Sequence, residues 1–132
     1  MCLNIDRRRT NRHSNEEDKY YIYTKFYNIR NKTLITLYRN SVVNTIKVEA
    51  CGALDVDPDN DRIEGGAIHA YYLSESVAEN LKWSSFNICL TIKVHSNDII
   101  AYGLDGDVCF FRYEFTNDSI KKLKKVGINL VS

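Results

Sequence analysis

Between Phe86 and His95 the chain alternates without a break: Ile88, Leu90, Ile92 and Val94 fall on one side, Asn87, Cys89, Thr91 and Lys93 on the other. A period of two sends successive side chains to opposite faces, so this segment predicts a strand with one buried and one polar face. Related patterns mark further strands. Tyr20 to Tyr27 is aromatic and β-branched, Thr33 to Arg39 and Val42 to Cys51 follow it, and Ala67 to Leu73 makes a fourth. Ile99–Leu104 and Asp107–Phe115 flank Asp105-Gly106, a strong two-residue hairpin signal. In the second of these Cys109, Phe111, Tyr113 and Phe115 are expected to share a face. Asn28 to Lys32 and Asn40-Ser41 read as breaks. Residues 52–64, rich in Asp and holding Pro58, read as a loop.

Helical spacing occurs twice. Ser76-Val77-Ala78-Glu79 matches a capping box, and Val77, Ala78 and Leu81 predict a helix of about two turns towards Trp83. Asn117 or Asp118 caps a last helix with Ile120, Leu123 and Val126 on its apolar side and Gly127 at C′. The Ile128–Val131 tail is expected to pack or pair after it. Residues 1–18 mix Arg7, Arg8, Arg9 and Arg12 with Glu16, Glu17 and Asp18, too polar to offset ordering entropy, and read as a flexible charged arm. The expected architecture is α+β: a single domain over 19–132, with a mostly antiparallel curved sheet of six to seven strands and two short helices.

Composition changes this picture little. The net charge of +1 gives no bulk attraction to nucleic acid or to a membrane. No apolar run reaches the ~20 residues of a membrane span, and no signal-peptide core follows the start, so a cytoplasmic location is expected. Cys2, Cys51, Cys89 and Cys109 lie far apart with no C-x-x-C pair, which suits reduced core thiols better than zinc. Asn, Ile, Lys and Tyr, all with AT-rich codons, are plentiful, a bias common in phages, large viruses and low-GC bacteria.

The candidate chemistry centres on His69. With Gly66, Ala67 and Ala70 around it, the strand leaves room for a close backbone or a ligand. Its imidazole suits a general base or a phosphate contact, with Tyr71 or Tyr102 as hydrogen-bond partner. The competing reading is a core histidine satisfied by a carbonyl or a tyrosine hydroxyl. Asp55, Asp57, Asp59 and Asp61 resemble the start of a calcium loop, but Asn60 stands where Gly is expected and Gly66 where the bidentate Glu belongs. That run reads as a solvated acidic loop, and no metal or other cofactor is expected. Lys121, Lys122, Lys124 and Lys125 complement a helix C-terminus. With the arginine arm and the tyrosines they allow nucleic-acid binding without favouring it. No G-x-S-x-G, P-loop or G-x-G-x-x-G motif is present, which leans against an enzyme.

Five segments together resemble a small uncharacterised domain of phage, prophage and bacterial proteins: Leu34-Ile35-Thr36-Leu37-Tyr38, Gly66 to Tyr71, Ser74 to Ala78, Asp98-Ile99-Ile100-Ala101-Tyr102-Gly103, and Phe111-Arg112. The resemblance spans about residues 20–115 and brings no activity. It implies that His69, Tyr71, Tyr102 and Gly103 belong together, as a pocket or a structural cluster, and it adds Gly66 and Arg112 as candidate site residues. The favoured expectation is a small accessory protein of a virus, phage or mobile element. It would bind or inhibit a host macromolecule, a host protein first among them, in the host cytosol, as a monomer or homodimer. The alternative is a nucleotide-type ligand-binding or transferase-like protein with its pocket around His69 and Tyr102.

Overall fold

The computed structural model describes residues 3–8, 19–37, 39–72 and 87–132. In chain order the strands are β1 (Leu3–Asn4), β2 (Tyr20–Arg30), β3 (Thr33–Thr36), β4 (Val42–Val43), β5 (Lys47–Glu49), β6 (Asp55–Asp57), β7 (Arg62–Gly65), β8 (Ile68–Tyr71), β9 (Ile88–His95), β10 (Ile99–Tyr102), β11 (Asp107–Phe110) and β12 (Arg112–Phe115), followed by helix α1 (Asn117–Lys125). The main sheet is open and antiparallel, in the order β10-β11-β8-β2-β9-β12-β5, with β3 and then β4 added to β2. A second sheet, β1-β7-β6, lies beside it.

β2 and β9 form the spine, and their register follows the alternation of the sequence. Tyr21, Tyr23, Lys25 and Tyr27 stand opposite Val94, Ile92, Leu90 and Ile88 on the core face. Tyr20, Ile22, Thr24 and Phe26 stand opposite His95, Lys93, Thr91 and Cys89 on the outer face. The core row continues through Ala70, Val108, Phe110, Tyr113 and Phe115, all buried. Burying each large apolar side chain contributes on the order of 1.5–3 kcal/mol, so this layer dominates folding. Leu123 and Ile128, from α1 and the tail, close one side of it. A smaller cluster of Leu3, Ile63, Ala101 and Cys109 joins the second sheet to the opposite face of β10 and β11.

The broad expectation of an antiparallel sheet-rich domain with helical cover holds, but its details change. Among the described residues there are twelve strands and one α-helix, not six to seven strands and two helices. The helix predicted over Ser76 to Trp83 lies outside the described residues. Strand β2 runs on to Arg30, because Asn31 and Lys32 both take positive φ (51° and 59°) and close a two-residue hairpin onto β3. The Val42–Cys51 run divides into β4 and β5. The Asp107–Phe115 run breaks at Phe111, which is exposed, so Phe111 does not share the face of Tyr113 and Phe115.

Residues 52–64, expected as a loop, contain the β6–β7 hairpin. The Asp57 carboxylate fastens its turn by accepting from the Asp59 and Asn60 amides and from Asn60 Nδ2 at 2.7 Å. Residues 3–8, expected in the mobile arm, are also part of the fold. Leu3 is buried, β1 pairs with β7, and Arg7 pairs with Asp61. Apolar Leu3 and Ile5 offset the polarity of their neighbours, which an average over the first 18 residues hides. At the other end Thr116, not Asn117 or Asp118, caps α1, accepting from the Ser119 amide at 3.3 Å. Gly127 holds the C′ position at φ 87°, and the tail bridges Thr45 through Val131. No helix of the described residues is long and apolar enough to cross a membrane.

Candidate functional site

Cross-strand register sorts the candidate residues onto two faces. Residues directly opposite each other in an antiparallel pair point the same way. His69 is opposite Cys109, which is opposite Ala101; Ala70 is opposite Val108, which is opposite Tyr102. His69 and Tyr102 therefore lie on opposite faces of the sheet, and the pocket expected between them does not form. Tyr102 belongs to the core face, with its hydroxyl 2.6 Å from that of Tyr23 and its ring against Tyr72. β10 is also not next to β8, since β11 runs between them.

His69 instead meets Asp107, two residues along β11 from its direct partner, with Nε2 2.7 Å from Oδ2. Both side chains are 7% exposed. Burial holds the imidazole below its ordinary titration value, outweighing the opposing pull of the carboxylate, so the ring is neutral near pH 7 and donates to Asp107. Tyr71 packs its ring edgewise on His69 at 5.0 Å and against Phe26 at 5.3 Å. Gly103 shares this cluster for a steric reason: a Cβ there would enter the Asp107 carboxylate. Cys109 lies alongside, its thiol pushed up to about 12 by burial, which makes it inert as a nucleophile. The void between His69, Cys109 and the second sheet is only about 10 Å³, room for one water at most, while His69 and Tyr71 also contribute to the lining of a larger cavity. Of the expected set, His69, Tyr71 and Gly103 converge. Arg112 does not: it is a surface residue whose guanidinium lies 3.4 Å from Asp98.

The larger cavity lies where the sheet splits, so its lining takes in Phe26, His69 and Tyr71 of the outer face together with Lys25, Ala70 and Tyr113 of the core face. One edge of β2 pairs with β8 at Thr24–Tyr71 and with β3 from Tyr27 onwards. Between these points β8 peels away, leaving a space of about 290 Å³ whose apex holds Lys25 and Phe26. Its walls come from Val42, Val43, Val48, Ile68, Ala70 and Tyr113, and its mouth from the exposed Arg39, Glu49 and Cys51. Gly66, at φ +71°, makes the turn that seats this rim, and a Cβ there would strike the Ala53 carbonyl. Cys51 is thus a rim thiol and not a core one.

Lys25 is the residue that sequence reasoning missed. Its ammonium donates to the His69 carbonyl at 2.6 Å, an acceptor freed where β8 leaves β2, and sits 5.6 Å from the centre of the Tyr27 ring. No carboxylate of the described residues lies within ion-pair distance. The side chain keeps some exposure because it faces a cavity, yet enough protein surrounds the amine to bring it down to about 8 by desolvation. Beside it the Tyr27 and Tyr113 hydroxyls pair at 2.6 Å, both held protonated by burial. The signal was present in the pattern: Tyr21-x-Tyr23-x-Lys25-x-Tyr27 places a cation in an apolar row.

In class, the chain is an open antiparallel α+β domain whose split sheet encloses a cavity with one lysine at its apex. No family model matches the chain, and no curated protein or solved structure compared with it is similar. No group of His, Cys, Asp and Glu among the described residues is arranged to hold a metal.

Proposed function

We propose that the protein binds a small amphipathic molecule, an apolar body with one anionic head, in the cavity at Lys25. The observation that carries this is an uncompensated lysine in a space of about 290 Å³ walled mainly by apolar side chains. A cation moved from water into such a site costs free energy unless something pairs with it. A carboxylate or phosphate would supply that partner, and the volume is near the lower end of the range for small-ligand sites. The nucleotide-type ligand expected from the sequence is a more demanding version, since a nucleotide carries several charges and, among the described residues, only Arg39 supplements Lys25 in the lining.

Titration calorimetry with 3-phenylpropanoate and its amide tests this reading. The carboxylate is expected to bind at least tenfold more tightly than the amide, and Lys25→Met is expected to abolish the difference. Equal binding of the two, or no binding of either, overturns it. The reading as an accessory protein of viral or phage type that binds a host protein rests on a different feature. Tyr20 and Ile22 are 57% and 58% exposed on the outer face, next to Lys93 and His95. Ile22→Glu separates the two readings, because it alters that face and leaves the cavity intact.

A further inference from the structure

We propose that Lys25 is a nucleophile, condensing with the carbonyl of a small 2-oxo acid to form an imine in the cavity. This rests on the ligand-binding reading and adds a covalent step to it. Three features of the site point the same way. The amine has one fixed acceptor, the His69 carbonyl, so in its neutral form one N–H is anchored and the lone pair is left for an electrophile. No carboxylate of the described residues is placed to keep it protonated. The cavity reaches the amine from solvent, through a mouth formed by residues such as Arg39 and Glu49.

A 2-oxo acid fits this arrangement because its carboxylate and electrophilic carbon are adjacent. The protonated amine draws the carboxylate into the cavity, loss of its proton to solvent then frees the lone pair beside the adjacent carbonyl carbon, and an apolar remainder lies along Val43, Val48 and Ile68. In the reaction the nitrogen lone pair adds to the carbonyl carbon and one N–H proton passes to the former carbonyl oxygen. The resulting hydroxyl then leaves as water, its departure assisted by a proton from solvent, as the C=N bond forms, and the remaining N–H proton passes from the iminium nitrogen back to solvent. The balance is amine plus carbonyl giving imine plus water, with no oxidant, reductant or metal.

Desolvation supports the chemistry. With a titration point of about 8, roughly a tenth of the Lys25 amine is neutral at pH 7, about 300-fold more than for an ordinary lysine.

The test is reductive trapping on the full chain. Phenylpyruvate is added with cyanoborohydride, and the modified peptides are located by mass spectrometry. Lys25 is expected to be labelled at least tenfold faster than Lys121, Lys122, Lys124 or Lys125, with a rate that rises through pH 8. Lys25→Arg, which keeps the charge and removes the primary amine, is expected to lose this label. Its thermal transition, measured in parallel, shows that it folds. Binding of 3-phenylpropanoate, which has the carboxylate but no ketone, is measured alongside. If that acid binds and Lys25 is labelled no faster than the surface lysines, the imine step is overturned and the binding reading stands. If neither acid binds, both fall.

Discussion

β8 separates two buried bases that the same residue connects. On one face the His69 imidazole meets Asp107 at 2.7 Å beside a void of about 10 Å³. Towards the other, the His69 carbonyl accepts from Lys25 at the apex of a cavity of about 290 Å³. The imidazole has a charged partner and packed neighbours; the ammonium has a neutral acceptor, space, and no carboxylate of the described residues within ion-pair distance. A buried polar group whose partner is supplied within the fold is explained by the fold. One whose partner is missing, beside an empty volume, points to something from outside. On this contrast the proposed site lies at Lys25, with His69 read as a bracing residue, the reverse of what residue type alone suggests.

The largest effect is expected on the closed face. His69→Ala leaves the Asp107 carboxylate buried without its donor, and its Oδ1 already lacks a partner. A loss of about 3–5 kcal/mol is expected in urea unfolding, in line with breaking other buried pairs. In the native protein the same burial gives a pH signature. The folded imidazole titrates below its unfolded value of about 6.5, so the unfolded chain takes up more protons as pH falls through that value, and stability declines on the acid side. If His69→Ala unfolds at the same urea concentration as the native protein, the closed face is not structural and the comparison breaks.

Gly103→Ala comes next, at about 2–3 kcal/mol, because its Cβ meets the Asp107 carboxylate that His69 holds in place. The clash is with a side chain, so pairing it with Asp107→Ser should recover part of the loss. A double-mutant cycle reads that coupling directly. Additive losses would show that Gly103 is constrained by its backbone and not by the His69 cluster.

These two residues also show how far the sequence reached. His69, Tyr71 and Gly103 do converge: the histidine among small residues marks a close approach, and Gly103 was placed with it only by the resemblance. Their shared partner was not legible. Asp107 follows a hairpin Gly, where an aspartate looks like turn chemistry, and only the β8–β11 register brings it diagonal to His69. Tyr102 failed for a related reason. Which face it took depended on pairing through a strand between, and a one-residue change of register reverses that face. The hairpin at 52–64 was hidden because aspartates are poor strand formers: β6 is held by β7, which β1 pairs on its other edge, while Arg7 pairs with Asp61 of the turn. The cavity could not be read at all. It exists because β8 and β3 share one edge of β2, a branching that no local pattern records.

On the open face the expected sign is reversed. Lys25→Met removes a desolvated cation and puts an apolar chain of similar length against Phe26 and Val43, so stability at pH 7 should rise by about 1–2 kcal/mol. The gain depends on pH. The folded amine titrates near 8 and the unfolded one near 10.5, so between these values the unfolded chain binds the extra proton and the native protein grows more stable with rising pH. The advantage of Lys25→Met is therefore full below about pH 8 and shrinks towards pH 10.5. A variant destabilised at pH 7 would mean that Lys25 has a compensating partner, and the two faces would then be alike.

The smallest effect separates the cavity from the rest of the core face. Tyr113→Phe and Tyr102→Phe each remove one hydroxyl from a buried phenol pair, with Tyr27 in one case and Tyr23 in the other, both at 2.6 Å. Each should cost about 1 kcal/mol, the usual scale for a buried neutral hydrogen bond, so stability will not tell them apart. Ligand binding should. Tyr113 lines the cavity and its hydroxyl pair flanks Lys25, whereas Tyr102 is packed against Tyr72 away from it. Affinity for 3-phenylpropanoate is expected to shift several-fold in Tyr113→Phe and to stay unchanged in Tyr102→Phe. The opposite outcome would return the site to Tyr102, and would mean that the opening between β8 and β3 is a packing fault of a branched sheet, with Lys25 its consequence.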